Sequence, residues 1–220
     1  LALGERVMLD VEPGVDGWRV TGGARGKHAP WLPWLYVRTT TAVSTTCQGY
    51  DPKPLYWRAL EVPLTFAATL SADVPTATAR AALDASVASW NALDCAYLKL
   101  TDAGTTTTPT IGYQRSGPNT NVVTWLESGW PQSAAAIAAT LTTFECGSGK
   151  LVDADVLFNG QGFTFSAAPL GLPATADIEN TFTHELGHLV GFDHNPDPTS
   201  TMYAEAAPGD GVDECWILVP

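Results

Sequence analysis

Three of the four histidines in this 220-residue chain fall within eleven consecutive positions, His184-Glu185-Leu186-Gly187-His188-Leu189-Val190-Gly191-Phe192-Asp193-His194. On an α-helix His184 and His188 lie about 40° apart, one turn from each other on the same face, so two imidazoles can share one divalent ion. Glu185 is rotated off that face and is better placed to reach a water on the ion than the ion itself. A third ligand at His194 requires the helix to end and the chain to turn sharply. Gly191 supplies the positive φ that such a turn needs. Three protein ligands leave one position open, the arrangement of a reactive zinc rather than a structural one.

The chain before this run reads as a sheet domain preceded by a dissimilar segment. Residues 1–53 hold two strand-like runs, Glu5–Glu12 and Trp18–Thr21, around Pro13-Gly14-Val15-Asp16-Gly17, a hairpin signal. A Gly/Pro-rich stretch with Trp31, Trp34 and Tyr36 follows. This part reads as an N-terminal extension or a pro-segment, and residues 54–220 as the domain carrying the histidines. Within that domain, strands are predicted at Leu60–Leu70, Tyr97–Leu100, Thr110–Gln114, Val122–Leu126, Ile137–Phe144 and Leu151–Phe158. A helix is predicted from Pro75 to about Leu93, with Val74, Ala81, Val87 and Trp90 as its buried stripe. Thr105–Thr108 reads as a loop, and Asp177 begins the helix of the histidine run. Strands, a helix among them and a further helix after them indicate a mixed α/β or α+β domain.

Charge limits the partners. Lys and Arg number 11 against 23 Asp and Glu, giving a net charge of −12. Nucleic acid and anionic membranes both demand a basic face, so neither is expected. No run of 18 apolar residues is present to span a bilayer. After Lys150 the sequence contains no Lys or Arg and eleven acidic residues, which suits either solubility or attraction of cations. Cys47, Cys95, Cys146 and Cys215 are widely spaced, without a C-x-x-C pair. With few lysines and an Ala/Thr-rich composition, this points to an exported bacterial protein with two disulfides and its signal peptide already removed. Three pairings are open.

Eight residues beyond His194 stands Met202, followed by Tyr203. The histidine run together with this methionine resembles the metzincin metallopeptidases. Within that clan the stretch from His194 to Tyr203 is most similar to the matrixins, whose pattern there is His-Ser-x-Asp-Pro-x-x-x-Met-Tyr-Pro. Pro63-Leu64-Thr65-Phe66, Ser89-Trp90-Asn91 and Leu151–Asp155 extend the likeness more weakly over about residues 54–205. Asn195 stands in place of the usual Ser, and Ala204 in place of Pro.

The resemblance implies an α+β zincin-like fold: a twisted mixed sheet of five or more strands, a backing helix, an active-site helix and a methionine turn at Met202 beneath the metal. It implies a secreted, monomeric zinc endopeptidase acting on proteins or peptides. His184, His188 and His194 would hold one catalytic Zn²⁺, Gly191 and Met202 would support the site, and Glu185 would take a proton from the attacking water and return it to the departing amine. Substrate would lie extended along an edge strand, for which Ile137–Phe144 is the candidate, with Ala138, Thr140, Tyr203 and Ala204 as contacts. Tyr203 is not assigned to the metal. No second structural zinc is expected. Asp153 and Asp155 share one strand face and are expected to be solvated, with Ca²⁺ as their alternative. Cys47 is expected in a disulfide; a cysteine that silences the zinc, or a free thiol, are the alternatives. Two other functions stay open, a different metzincin branch and a metal-binding adhesion module with a vestigial site.

Overall fold

The chain reverses at residues 14–17, and the strands either side, β1 (Glu5–Gly14) and β2 (Gly17–Lys27), pair antiparallel from Gly14↔Gly17 out to Glu5↔Lys27. This is the expected hairpin, with longer strands. The computed structural model describes residues 5–14, 17–27, 42, 47–93, 96–167, 174–197 and 200–205. Trp31, Trp34 and Tyr36 lie outside them.

In β3 (Glu61–Ala67), Val62, Leu64 and Phe66 are buried at alternate positions, the two-residue period of a strand facing a core. Pro75 then caps α1 (Thr76–Asn91). The buried stripe of α1 is Ala79, Ala82, Leu83, Ser86 and Trp90. Ala81, expected in that stripe, is exposed, because alanine marks no face by itself and the larger Leu83 and Trp90 set the rotation. Next come β4 (Lys99–Thr106), β5 (Asn121–Trp125), β6 (Ala138–Phe144) and β7 (Leu151–Phe158). Two short parallel strands, β8 (Phe165–Ser166) and β9 (Ala176–Asp177), lead into α2 (Ile178–Leu189).

The result is α+β. Five strands form a mixed sheet in the order β4-β3-β5-β7-β6, all parallel except β6, which runs antiparallel to β7. β6 therefore lies at an edge. The parallel centre is buried, as sheets of this kind usually are. Both helices join the same core, where Trp125 stacks on Phe158 at 3.9 Å between ring centroids and Phe158 abuts Phe182.

Several sequence expectations are corrected here. The strand expected at Tyr97–Leu100 starts at Lys99 and continues through Thr105 and Thr106, which read as loop. Backbone pairing with β3 carries this edge strand although only Leu100 in it is buried. A register shift marks a bulge where Gly104 takes φ +92° and donates to Asp102. Thr110–Gln114 is not a strand. Gly112, at φ +85°, instead turns its N–H to the Asp155 carboxylate. Asp155 also accepts from the N–H of Val122 at 2.8 Å. Asp153 and Asp155 are accordingly buried, not solvated: each is 1% exposed or less. Both oxygens of Asp153 lack a hydrogen-bond partner among the described residues.

Cys47 is bonded to Cys146 in the β6–β7 turn, so it is neither a free thiol nor a ligand that silences the histidines. Cys95 and Cys215 lie outside the described residues. The segment after Cys47 runs along this turn. Tyr56 exchanges backbone hydrogen bonds with Gly149 and Leu151, and a Cβ on Gly149 would collide with the Pro54 carbonyl.

Candidate metal centre

The helix that carries the first two histidines is held at both ends. Asp177 caps α2 by accepting from the Asn180 N–H at 2.8 Å, satisfying one of the unpaired donors of the first turn. Ile178, Phe182, Leu186 and Leu189 form its fully buried stripe. Across the α1–α2 contact, Ser86 donates to the Glu179 carbonyl and the Trp90 indole to the Thr183 carbonyl at 3.0 Å. At the far end the Trp57 indole donates to the Leu189 carbonyl at 2.7 Å, one of the carbonyls a helix terminus leaves unpaired.

The turn after α2 is a Schellman motif. The Gly191 N–H returns to the His188 carbonyl and the Phe192 N–H to the Gly187 carbonyl, at 3.0 and 2.9 Å. Gly191 has φ +102°, as the motif requires. A second constraint was not legible in the sequence: a Cβ there would lie 2.6 Å from the Leu55 carbonyl oxygen. The Gly191 carbonyl also accepts from the Ala42 N–H, and Ala42 accepts from the Leu55 N–H. The turn that delivers His194 is thus clamped by chain far upstream.

Beyond the turn the three rings converge. The Nε2 atom of His188 lies 3.0 Å from that of His184 and 3.1 Å from that of His194. His184 Nδ1 is 2.7 Å from the Thr201 carbonyl, and His188 Nδ1 is 2.9 Å from the Phe192 carbonyl. Carbonyls only accept, so both Nδ1 atoms carry hydrogen and both Nε2 atoms present lone pairs. Lone pairs aimed at one another at that distance repel unless a cation lies among them. Imidazole nitrogens around a tetrahedral first-row ion, at bonds of about 2.0–2.1 Å, stand about 3.3 Å apart, close to the spacing here. The backbone carbonyls on Nδ1 are the outer partners that normally fix a ligating histidine's tautomer and ring orientation. The three residues therefore fit a metal ion. Among the described residues they are the one group of three or more His, Cys, Asp or Glu side chains whose ligand atoms lie within 4.8 Å of one another. Burial pushes His184 down to about 4 and lowers His188 as well, which favours the neutral, ligating form of each.

Glu185, the residue after His184 on the helix, is 5% exposed. Its Oε2 accepts from the Thr140 hydroxyl of β6 at 2.5 Å. Burial pushes the carboxyl up to about 7, and the Thr140 hydrogen bond opposes that rise. Met202 packs under the helix, its sulfur filling the space beside Gly187. The Asn195 N–H donates to the Met202 carbonyl at 2.7 Å, which closes the chain back beneath the histidines.

The structure thus brings together His184, His188, His194, Glu185, Gly191, Met202 and Thr140. Ala138 lies two positions from Thr140 on β6, Tyr203 is half-buried and Ala204 exposed after the turn. No hydrogen bond from these three to the histidines or Glu185 is found among the described residues. Sequence reasoning missed Leu55, Trp57 and the carbonyls of Thr201 and Phe192, since each acts through backbone or an indole that belongs to no local pattern. It placed Thr140 on the edge strand but not on Glu185. Compared with known proteins, the chain matches no family model and no curated sequence.

Proposed function

We propose that this protein is a secreted zinc endopeptidase of the metzincin type, resembling the matrixins. The carrying observation is the convergence of three Nε2 atoms, two of them left with lone pairs by the backbone carbonyls on Nδ1, with a buried carboxylate next to His184 on the same helix. His184, His188 and His194 would hold the ion. When bound, Zn²⁺ supplies a Lewis acid for a peptide carbonyl and acidifies water at neutral pH. Glu185 accepts a proton from that water on its carboxylate and gives it to the departing amine. The edge position of β6 supports a substrate laid alongside it as an added strand, with β6 backbone groups fixing its register. Met202 and the Schellman turn hold the histidines in place and take no part in proton transfer.

The test is cleavage of a denatured protein by the purified chain, with and without a chelator. Cleavage abolished by chelation and restored by one equivalent of Zn²⁺ is expected. Cleavage that persists under chelation defeats the zinc mechanism. A zinc-loaded chain that cleaves nothing favours the binding module instead.

A further inference from the structure

Thr140 lies 45 residues from Glu185 in sequence, yet its Oγ1 is 2.5 Å from Glu185 Oε2 and 3.0 Å from the Glu185 main-chain carbonyl oxygen. A hydroxyl has one hydrogen. Both neighbours are acceptors when the carboxylate is ionised, so the hydrogen goes to the nearer, charged one. Glu185 is 5% exposed, and nothing else described donates to that carboxylate. One oxygen is thereby anchored while Oε1 carries no protein hydrogen bond among the described residues. We propose that Thr140 is a positioning residue. By donating to Oε2 it locks the rotamer of Glu185 so that Oε1 is the oxygen that exchanges protons.

The hydrogen bond survives the whole cycle. After Oε1 takes a proton from water, Oε2 becomes the carbonyl oxygen of a neutral acid and still accepts. Thr140 can then share its hydrogen with the main-chain carbonyl at 3.0 Å without moving a heavy atom. Because Thr140 belongs to β6, the strand proposed to hold substrate also holds the base, so docking and proton transfer are set by one element. This rests on the endopeptidase reading.

The experiment compares T140V, which keeps shape and loses the hydroxyl, with T140S, which keeps it. T140V is expected to lower kcat roughly 10- to 100-fold, with KM and zinc affinity changed less than about twofold, and T140S to recover most of the rate. Equal kcat in T140V and the parent, or a T140S as impaired as T140V, overturns the proposal. A second arm needs no catalysis. In the metal-free protein T140V should lower Tm by roughly 2–4 °C beside Glu185 but by little in an E185A background. Equal drops in both backgrounds overturn the proposal. A parent that binds zinc and cleaves nothing, yet shows the coupled Tm loss, defeats the endopeptidase reading and leaves the Thr140–Glu185 lock standing.

Discussion

The sulfur of Met202 occupies the place that a side chain on Gly187 would need: a Cβ there would collide with Sδ and lie 3.0 Å from Cε. Gly187 sits between the first two histidines on α2, so the residue beneath the site and the gap in the helix are a matched pair. Overpacking of this kind costs about 1–3 kcal/mol. G187A should lose that much stability in urea unfolding, and G187A/M202A should recover part of it. A double variant less stable than the sum of the two single losses would contradict the pairing.

At Gly191 two demands coincide, a φ of +102° and the Leu55 carbonyl 2.6 Å from any Cβ. G191A should therefore cost about 2–4 kcal/mol, more than either demand alone, and should displace His194. Competition against a calibrated chelator should register a metal affinity lowered at least tenfold.

Replacing Glu185 by Gln preserves its shape and removes the proposed proton acceptor. Metal content by elemental analysis should stay at one equivalent, while the rate falls at least 10²-fold. A large loss of metal in E185Q would instead make Glu185 a ligand.

Asp153 gives a pH-dependent contribution of unusual sign. Burial, and then the charge of Asp155, push it up to about 6 from an ordinary 3.8. Between those values the folded chain keeps a proton that the unfolded chain has released. Stability from this group is thus full below about pH 4, falls as pH rises through about 6, and is then constant; the total change is roughly 3 kcal/mol. Urea midpoints measured from pH 4 to 8 in cation-free buffer should fall more steeply in the parent than in D153N, which keeps only the decline due to Glu185 and the other buried carboxyls.

The Cys47–Cys146 bond closes a loop spanning 99 residues. Removing it as C47A/C146A should cost about 2–5 kcal/mol, chiefly by freeing the unfolded chain. Thermal unfolding of the double variant, compared with the parent at equal metal load, measures the loss.

The metal trio was legible because helix geometry converts the spacing of His184 and His188 directly into proximity, and Gly191 announces the turn that brings His194. The start of the second helix at Asp177 was legible for a similar local reason, whereas the edge position of β6 was expected only from the resemblance. What failed was information held in distant backbone. β4 extends through Thr105, exposed, and Thr106, half-buried, because β3 supplies its hydrogen bonds. Asp153 and Asp155 read as solvent-facing because alternation identifies a strand's second face without saying what covers it. Gly112 and Val122 donate to Asp155 from segments that nothing in the β7 pattern names.

The clamp on Gly191 limits where the chain could be cut without loosening the third imidazole. Ala42, Leu55 and Trp57 brace the bend and helix end from which the third imidazole hangs, and the bridge at Cys47 secures the same stretch. A processing cut ahead of Ala42 spares all of them. A cut between Ala42 and Cys47 severs the Ala42 link, and excision through Trp57 removes the scaffold whole, leaving His194 on an unbraced hinge although every ligand is still present in the sequence.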